Sequence, residues 1–434
     1  RTFSEALVPL SPAMPSPSEV RELFDLPAED VYLACASRAP LANRTFQAGV
    51  QAAAKKKLPW TLSSDGVEER VREAFAELVN CSADDVALCP STSFSLSTAA
   101  RAVALEVRSG DVGLILEDQM SSNTYPWQRL QRTHGLALEA VPYPHDGDWT
   151  TPLLRRLSEL DEQGRRVAVV SIPIFLWTDC SGPVDLGAVS EACRRPSRPM
   201  RTALVVDATQ SVGAVPVDVQ RTPVDFLAAS VHKFLFGAYG LSCLYVAQRW
   251  WEDVGVEPLV EDEHFRAHMA NADDEVPFDA SLPGYPTAFR RGARRLDAGG
   301  RPNPILLPMA LDGMSLVLQW GPAATAATLA PLTQRIRQKC TQELGLWTPA
   351  RHGPHFLGVG PGPADACKTP EEVAAWVQAA AKFLKERRIY VSAKLKVLRV
   401  APHLYTSVAD VDRFLVALAD FVAQRRLGTT VARL

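Results

Sequence analysis

The sequence predicts an α/β fold, with a mostly parallel sheet and a smaller α+β unit after it. Three observations point there. Between residues 86 and 246, short apolar strands alternate with helix-like segments, the order that builds crossover connections. The strands are near-continuous apolar runs, such as Ala203-Leu204-Val205-Val206, as a sheet covered on both faces requires. And 434 residues exceed what one ordinary core organises, so a second unit is expected.

Taken in order, residues 1–30 carry Pro9, Pro12, Pro15, Pro17 and Pro27 and read as an extended arm leading into a short helix at 18–24. Residues 31–36 are a short apolar strand or turn. Val67, Val71, Phe75 and Leu78 have helical spacing, so 67–78 is a helix closed by the Ser82-Ala-Asp-Asp turn. Strands follow at 86–89, 112–116, 136–141, 167–172, 203–206, 226–230 and 241–246. Helices fall between them at 94–107, 125–134, 151–162 and 186–194, the first opened by the hydroxyl-rich Ser91-Thr92-Ser93. Residues 254–287 break the rhythm with eight acidic residues and four prolines, and read as a long loop at the surface or over the active site. From Pro308 the chain is helix-rich (309–320, 323–340, 370–386, 408–424), with strands at 390–391 and 397–400.

The charge balance, 46 Lys+Arg against 49 Asp+Glu, gives no electrostatic case for nucleic acid or an anionic membrane. No run of 18 apolar residues exists, so no membrane-spanning helix is expected. Residues 1–17 lack the basic-then-apolar order of a secretion signal, although the chain opens on Arg1 rather than Met. Its eight cysteines contain no CxxC pair, fit no zinc spacing and are sparse for a disulfide framework. A reducing, cytoplasmic setting without a structural metal is the expectation.

Two segments carry the chemistry. In Val205-Val206-Asp207-Ala208-Thr209-Gln210, an apolar strand ends in an acid, and ligands bind beyond the carboxyl ends of parallel strands. Alone, Asp207 reads as a cap or turn residue. In Ser230-Val231-His232-Lys233-Phe234-Leu235-Phe236-Gly237, a Lys follows another apolar strand. Apolar surroundings favour its neutral amine, as a Schiff-base lysine requires. Alone, it would be a surface lysine.

Together, the two segments resemble the pyridoxal-phosphate site of the class V aminotransferase family, which has the fold type I architecture. The family includes cysteine desulfurases, isopenicillin N epimerases and an ergothioneine C–S lyase. The resemblance runs in matching order from about Tyr32 to Leu418. It implies that Lys233 forms the Schiff base with the cofactor, that Asp207 meets the pyridinium nitrogen and that Gln210 bonds the ring oxygen. It gives Ser230, His232, Thr92 and Ser93 to the phosphate. Met120 falls where relatives stack a residue on the ring; desulfurases carry His there. In Gly299-Gly300-Arg301-Pro302-Asn303, Arg301 and Asn303 match a loop that reaches the phosphate across a dimer. Arg399, a charge inside an apolar strand, matches the residue that binds the substrate α-carboxylate by a planar fork. His403 either supports the site or packs in a loop.

The implied organisation is an arm at 1–43 shared with a small domain at 305–434, and a large cofactor domain at 44–304. A homodimer with a site shared across the interface and a small amino-acid substrate are expected. No cysteine lies in Val391-Ser392-Ala393-Lys394-Leu395-Lys396-Val397, where desulfurases keep a catalytic one. Apolar Ile174-Phe175-Leu176 suggests an altered substrate pocket. These departures, with the Glu117–Trp127, Arg294–Pro304 and Arg399–Tyr405 patterns, favour β-elimination from a cysteine-derived amino acid, a C–S lyase. Aminotransfer, epimerisation and a non-catalytic binding protein on the same scaffold stay open.

Overall fold

The computed structural model describes residues 14–61, 66–144, 146–196, 201–258, 288–299 and 303–431. Arg301 and most of the acidic 254–287 segment lie outside the described residues.

The N-terminal part contributes helix α1 (Pro17–Arg21), strand β1 (Val31–Tyr32) and helices α2 (Asn43–Lys55) and α3 (Val67–Val79). Then come β2 (Val86–Cys89), α4 (Thr92–Ala104), β3 (Val112–Leu116), α5 (Tyr125–His134), β4 (Ala137–Val141), α6 (Thr150–Glu162) and β5 (Val167–Pro173). The run ends with α7 (Leu186–Cys193), β6 (Ala203–Asp207), β7 (Phe226–Ser230), β8 (Ser242–Val246) and α8 (Gln248–Glu252). The seven strands order as β2-β8-β7-β6-β5-β3-β4. All run parallel except β8, which is antiparallel to both its neighbours.

Each strand sends alternate residues to different cores. On β6, Leu204 and Val206 join one apolar cluster while Ala203 and Val205 join another; on β7, Leu227 and Ala229 oppose Phe226 and Ala228. Burial on both faces is why these strands carry no polar alternation.

The rest holds α9 (Leu306–Trp320), α10 (Pro322–Gln338), β9 (Leu357–Val359), α11 (Pro370–Lys385), β10 (Ile389–Tyr390), β11 (Ser392–Ala393), β12 (Leu398–Val400) and α12 (Val408–Val431). Strands β11, β12 and β9 form an antiparallel sheet. The N-terminal arm joins this part, since β1 pairs in parallel with β10 through Val31 and Ile389.

The sequence reading omitted α2 and β9. The buried face of α2 is Thr45, Gly49 and Ala52, small residues that give no apolar stripe. Strand β9 is three residues long, too short for an alternation signal. The helix read at 94–107 begins two residues earlier and ends at Ala104, with the Ser91 hydroxyl accepting from the Phe94 amide.

Two glycines shape the loop after β7. Gly213, at φ +92°, has a backbone conformation that L residues avoid, and a side chain there would collide with the Phe234 carbonyl. Gly313 on α9 lets that helix approach the Leu235 carbonyl from another side. The segment carrying Lys233 is therefore clamped by backbone rather than held by long side chains. Among the described residues, no helix is long and apolar enough to cross a membrane.

Candidate active site

The carboxyl ends of β5, β6 and β7 and the first turn of α4 converge on a cavity of about 310 Å³. Open α/β sheets bind ligands beyond the carboxyl ends of their strands, and Pro173, Asp207 and Ser230 are the last paired residues of β5, β6 and β7. Its lining includes Thr92, Ser93, Met120, Asp207, Gln210, Ser230, His232, Lys233 and Arg399. Nine residues expected from the sequence, spread from Thr92 to Arg399, therefore face one space. Asn303 is not among the lining residues; its Oδ1 accepts the Ile305 amide at 2.9 Å and so caps the start of α9.

Asp207 is buried at the end of β6, where its Oδ1 accepts the Thr209 amide at 3.1 Å. Burial pushes its carboxyl above the usual range, against the opposing effects of the Thr209 bonds and the Lys233 charge. Gln210 turns its Nε2 to the Ala36 carbonyl at 3.2 Å and leaves Oε1 buried without a partner. The Gln210 carbonyl is held in turn by His355 Nε2 at 2.7 Å.

Lys233 is half-buried. Burial lowers its pKa to about 8, helped by the Arg399 and Lys394 charges and opposed by Asp207. A measurable fraction of the amine is therefore neutral near pH 7. His232 stacks on Tyr239 with ring centroids 4.0 Å apart. Burial and then the Lys233 charge lower its pKa to about 4, so it acts as a neutral imidazole.

At the opposite wall, hydroxyls gather. Thr92 Oγ1 lies 3.1 Å from Ser230 Oγ and 3.3 Å from Thr209 Oγ1, while Ser93 is exposed to the cavity. These groups sit at the amino end of the 13-residue α4, whose free amides and dipole favour an anion.

Arg399, only 2% exposed, donates from Nη1 to the Trp177 carbonyl at 2.6 Å and from Nη2 to the Ser37 hydroxyl. Its Nε is buried without a partner, and no carboxylate pairs with it among the described residues. A buried guanidinium lacking an anion is costly unless a ligand supplies one. Met120 is 39% exposed at the cavity edge, on a turn fixed by Gln119, which accepts the Leu116 amide and donates to the Asn123 carbonyl at 2.6 Å.

The expected apolar wall is only partly there. Phe175 lines the cavity beside Pro173 and Trp177, but Ile174 and Leu176 do not, because alternate residues of this extended segment face away. His403 is packed among Phe234, Phe236, Trp320 and Tyr405, outside the lining. Sequence reasoning missed Ser37, Trp177 and Lys394 as site residues. None stands in a motif; Lys394 resembles a solvated turn lysine until the β11–β12 hairpin brings it beside Arg399.

This donor set suits one kind of group: a phosphate for the hydroxyl wall and helix end, a ring nitrogen for Asp207, a polar ring substituent for Gln210 and a carbonyl for the amine. Pyridoxal phosphate has all four features.

The aminotransferase class-V family model matches residues 63–260. A cysteine desulfurase from Pectobacterium atrosepticum is 29% identical over 233 residues, covering 51% of this chain and 54% of its own length. The matched region thus spans about half the length of that curated relative. An uncharacterised aminotransferase from Bacillus subtilis is 25% identical over 404 residues, covering 90% and 94%. Among solved structures, the cystine C–S lyase C-DES with cysteine persulfide superposes with a TM-score of 0.75 at 18% identity, covering 91% of this chain and 98% of its own. At that identity the likeness concerns the fold.

Proposed function

From a chain that belongs to the aminotransferase class-V family, whose members use pyridoxal phosphate, we propose an enzyme that deprotonates an α-amino acid at Cα and eliminates a sulfur leaving group from Cβ. The observation that carries the reading is the single cavity that joins a partly neutral lysine, a buried carboxylate and an unpaired buried arginine.

Asp207 would hold the ring nitrogen, Gln210 the ring oxygen, and Thr92, Ser93, Ser230 and His232 the phosphate, with Met120 at the ring edge. When bound, the cofactor supplies an electron sink for negative charge at Cα. Arg399 orients the substrate by its α-carboxylate, with the guanidinium plane fixed by Trp177 and Ser37. The Lys233 amine takes the Cα proton as general base. The Cβ–S bond breaks with its electron pair leaving on sulfur, and the Lys233 ammonium returns a proton to that sulfur. Phe175 and Trp177 limit water at the reacting carbon. The products after hydrolysis are pyruvate, ammonia and a thiol.

Elimination is preferred over sulfur transfer to an enzyme thiol because no cysteine lines the cavity; the nearby Cys180 is buried, and burial raises its pKa well above the ordinary value. The test is a spectrum and product analysis of the purified protein with cysteine conjugates. Pyruvate release supports elimination, whereas a keto acid with pyridoxamine phosphate moves the assignment to aminotransfer.

We infer a homodimer as part of the same reading. Phe46, Val50, Leu58 and Trp60 are all exposed on or just after α2, Trp60 to 79%, an apolar face that a second copy would cover. Sedimentation at the mass of a single chain would overturn this. We also keep the division between residues 44–304 and 305–434, with the arm at 1–43 docking on the second part through β1 and β10.

A pH effect follows from Lys233. Covalent uptake of the cofactor needs the neutral amine, so its rate should climb from pH 6 and level off above about 8. Stopped-flow absorbance on the apoprotein reads this directly; a rate independent of pH would contradict the lowered pKa.

A further inference from the structure

We propose that Lys394 makes the site selective for α-amino acids carrying a second anionic group on a short side chain. The inference deepens the function proposed above and rests on it.

The geometry begins with the hairpin between β11 and β12. Ser392 lies opposite Arg399, and the Lys394 amide closes the turn on the Val397 carbonyl at 2.8 Å. Two residues beyond Ser392, Lys394 shares a face of the hairpin with Arg399. Both side chains line the cavity. The other lysine of the same turn, Lys396, is exposed and has its partner, Asp118 Oδ2 at 2.7 Å. Lys394 has none among the described residues. Its Nζ sits 5.5 Å from the Trp177 ring centroid, and that ring is fixed by its Nε1–H to the Asp118 carbonyl at 3.0 Å.

The charges around Lys394 sharpen the point. The Arg399 and Arg38 charges face it, the Cys180 thiol is buried with its pKa raised, and Asp207 is the sole carboxylate among the described lining residues. Asp207 and the hydroxyl wall are accounted for by the cofactor, and Arg399 by the α-carboxylate. One half-buried ammonium is left over. Desolvating it further as substrate fills the cavity is unfavourable unless the substrate brings a matching anion. Burial and the neighbouring Arg399 already lower its pKa to about 8, the mark of a cation without compensation. A cavity of about 310 Å³ is at the small end for ligand sites, so the second anion must sit on a short side chain.

The test uses the cofactor-loaded protein and unreactive acids, so that binding is read apart from turnover. Calorimetric titrations with butyrate, succinate and glutarate are compared in the wild type, Lys394→Met, Lys394→Arg and Arg399→Lys. At least one dicarboxylate should bind about tenfold or more tightly than butyrate, the effect of one added charge-assisted bond. Lys394→Met should remove that advantage, so that the dicarboxylates bind no more tightly than butyrate, while Lys394→Arg retains it. Equal binding of mono- and dicarboxylates to the wild type, or an advantage that survives Lys394→Met, overturns the inference. If butyrate binding in such a case still depends on Arg399, the proposed function stands. If no acid binds at millimolar concentration, both readings fall.

Discussion

Lys233→Ala is expected to abolish the visible absorbance of the cofactor-loaded protein and to lower turnover by about 10⁴-fold or more, since one side chain is both the attachment point and the general base. The residue's surroundings leave little to replace it. His232, at a pKa of about 4, is a weak base with its face covered by Tyr239. Asp207 is buried and committed to the Thr209 amide. One competitor does exist. The Lys394 amine is also lowered to about 8 and lines the same cavity. The experiment must therefore distinguish two lysines, and borohydride reduction followed by peptide mapping does so. A cofactor fixed to Lys233 in the wild type, with nothing trapped in Lys233→Ala, is the expected pair of results. Trapping at Lys394 would transfer the catalytic assignment to the hairpin. The geometry favours Lys233 because its loop is clamped by Gly213 and Gly313 and lies next to Asp207, while Lys394 stands on a two-stranded turn at the cavity rim.

The same contrast explains what was readable in the sequence. The central strands were legible because burial on both faces leaves uninterrupted apolar runs, as in β6 and β7. The Asp207–Gln210 and Ser230–Lys233 segments were legible because each follows such a strand directly, so chain order alone puts them at the sheet's carboxyl edge. Arg399 was legible as a charge inside an apolar strand. Lys394 was not, because a lysine in a polar turn looks solvated, and only the Ser392–Arg399 register turns it inward. Ser37 was hidden for a different reason: it meets Arg399 across 362 residues of sequence, and no local pattern reports such a contact. Helix α2 escaped because its close approach to α9 is made through Gly49 against Met309, a contact that depends on the absence of a side chain.

Asp297→Ala is expected to destabilise the protein by about 3–5 kcal/mol, because it strands a buried arginine. Asp297 takes both terminal nitrogens of Arg72 as a fork, with Nη1 at 2.9 Å, and the same Oδ1 accepts the Leu88 amide at 2.8 Å. Arg72 is itself 2% exposed and also donates to the Val86 carbonyl at 2.7 Å. Three elements thus meet on one carboxylate: α3, β2 and the 3₁₀ turn at Ala293–Leu296 that precedes it. Removing it leaves a guanidinium in a dry site with two of its three hydrogen bonds gone and Glu69, 3.8 Å from Nε, as its remaining carboxylate, which costs more than the pair contributes. Urea unfolding of the single variant, followed by far-ultraviolet circular dichroism, measures the loss. The matched double variant Arg72→Met with Asp297→Leu separates the two contributions, since it removes the charge along with its partner. It should recover a large part of the single variant's loss, through apolar packing in place of the pair. A double variant as unstable as Asp297→Ala would mean that the Leu88 amide, not the stranded cation, dominates. Because β2 runs straight into Ser91–Ser93, the same substitution should also weaken cofactor retention at conditions where the fold survives, a coupling that a purely remote ion pair would not produce.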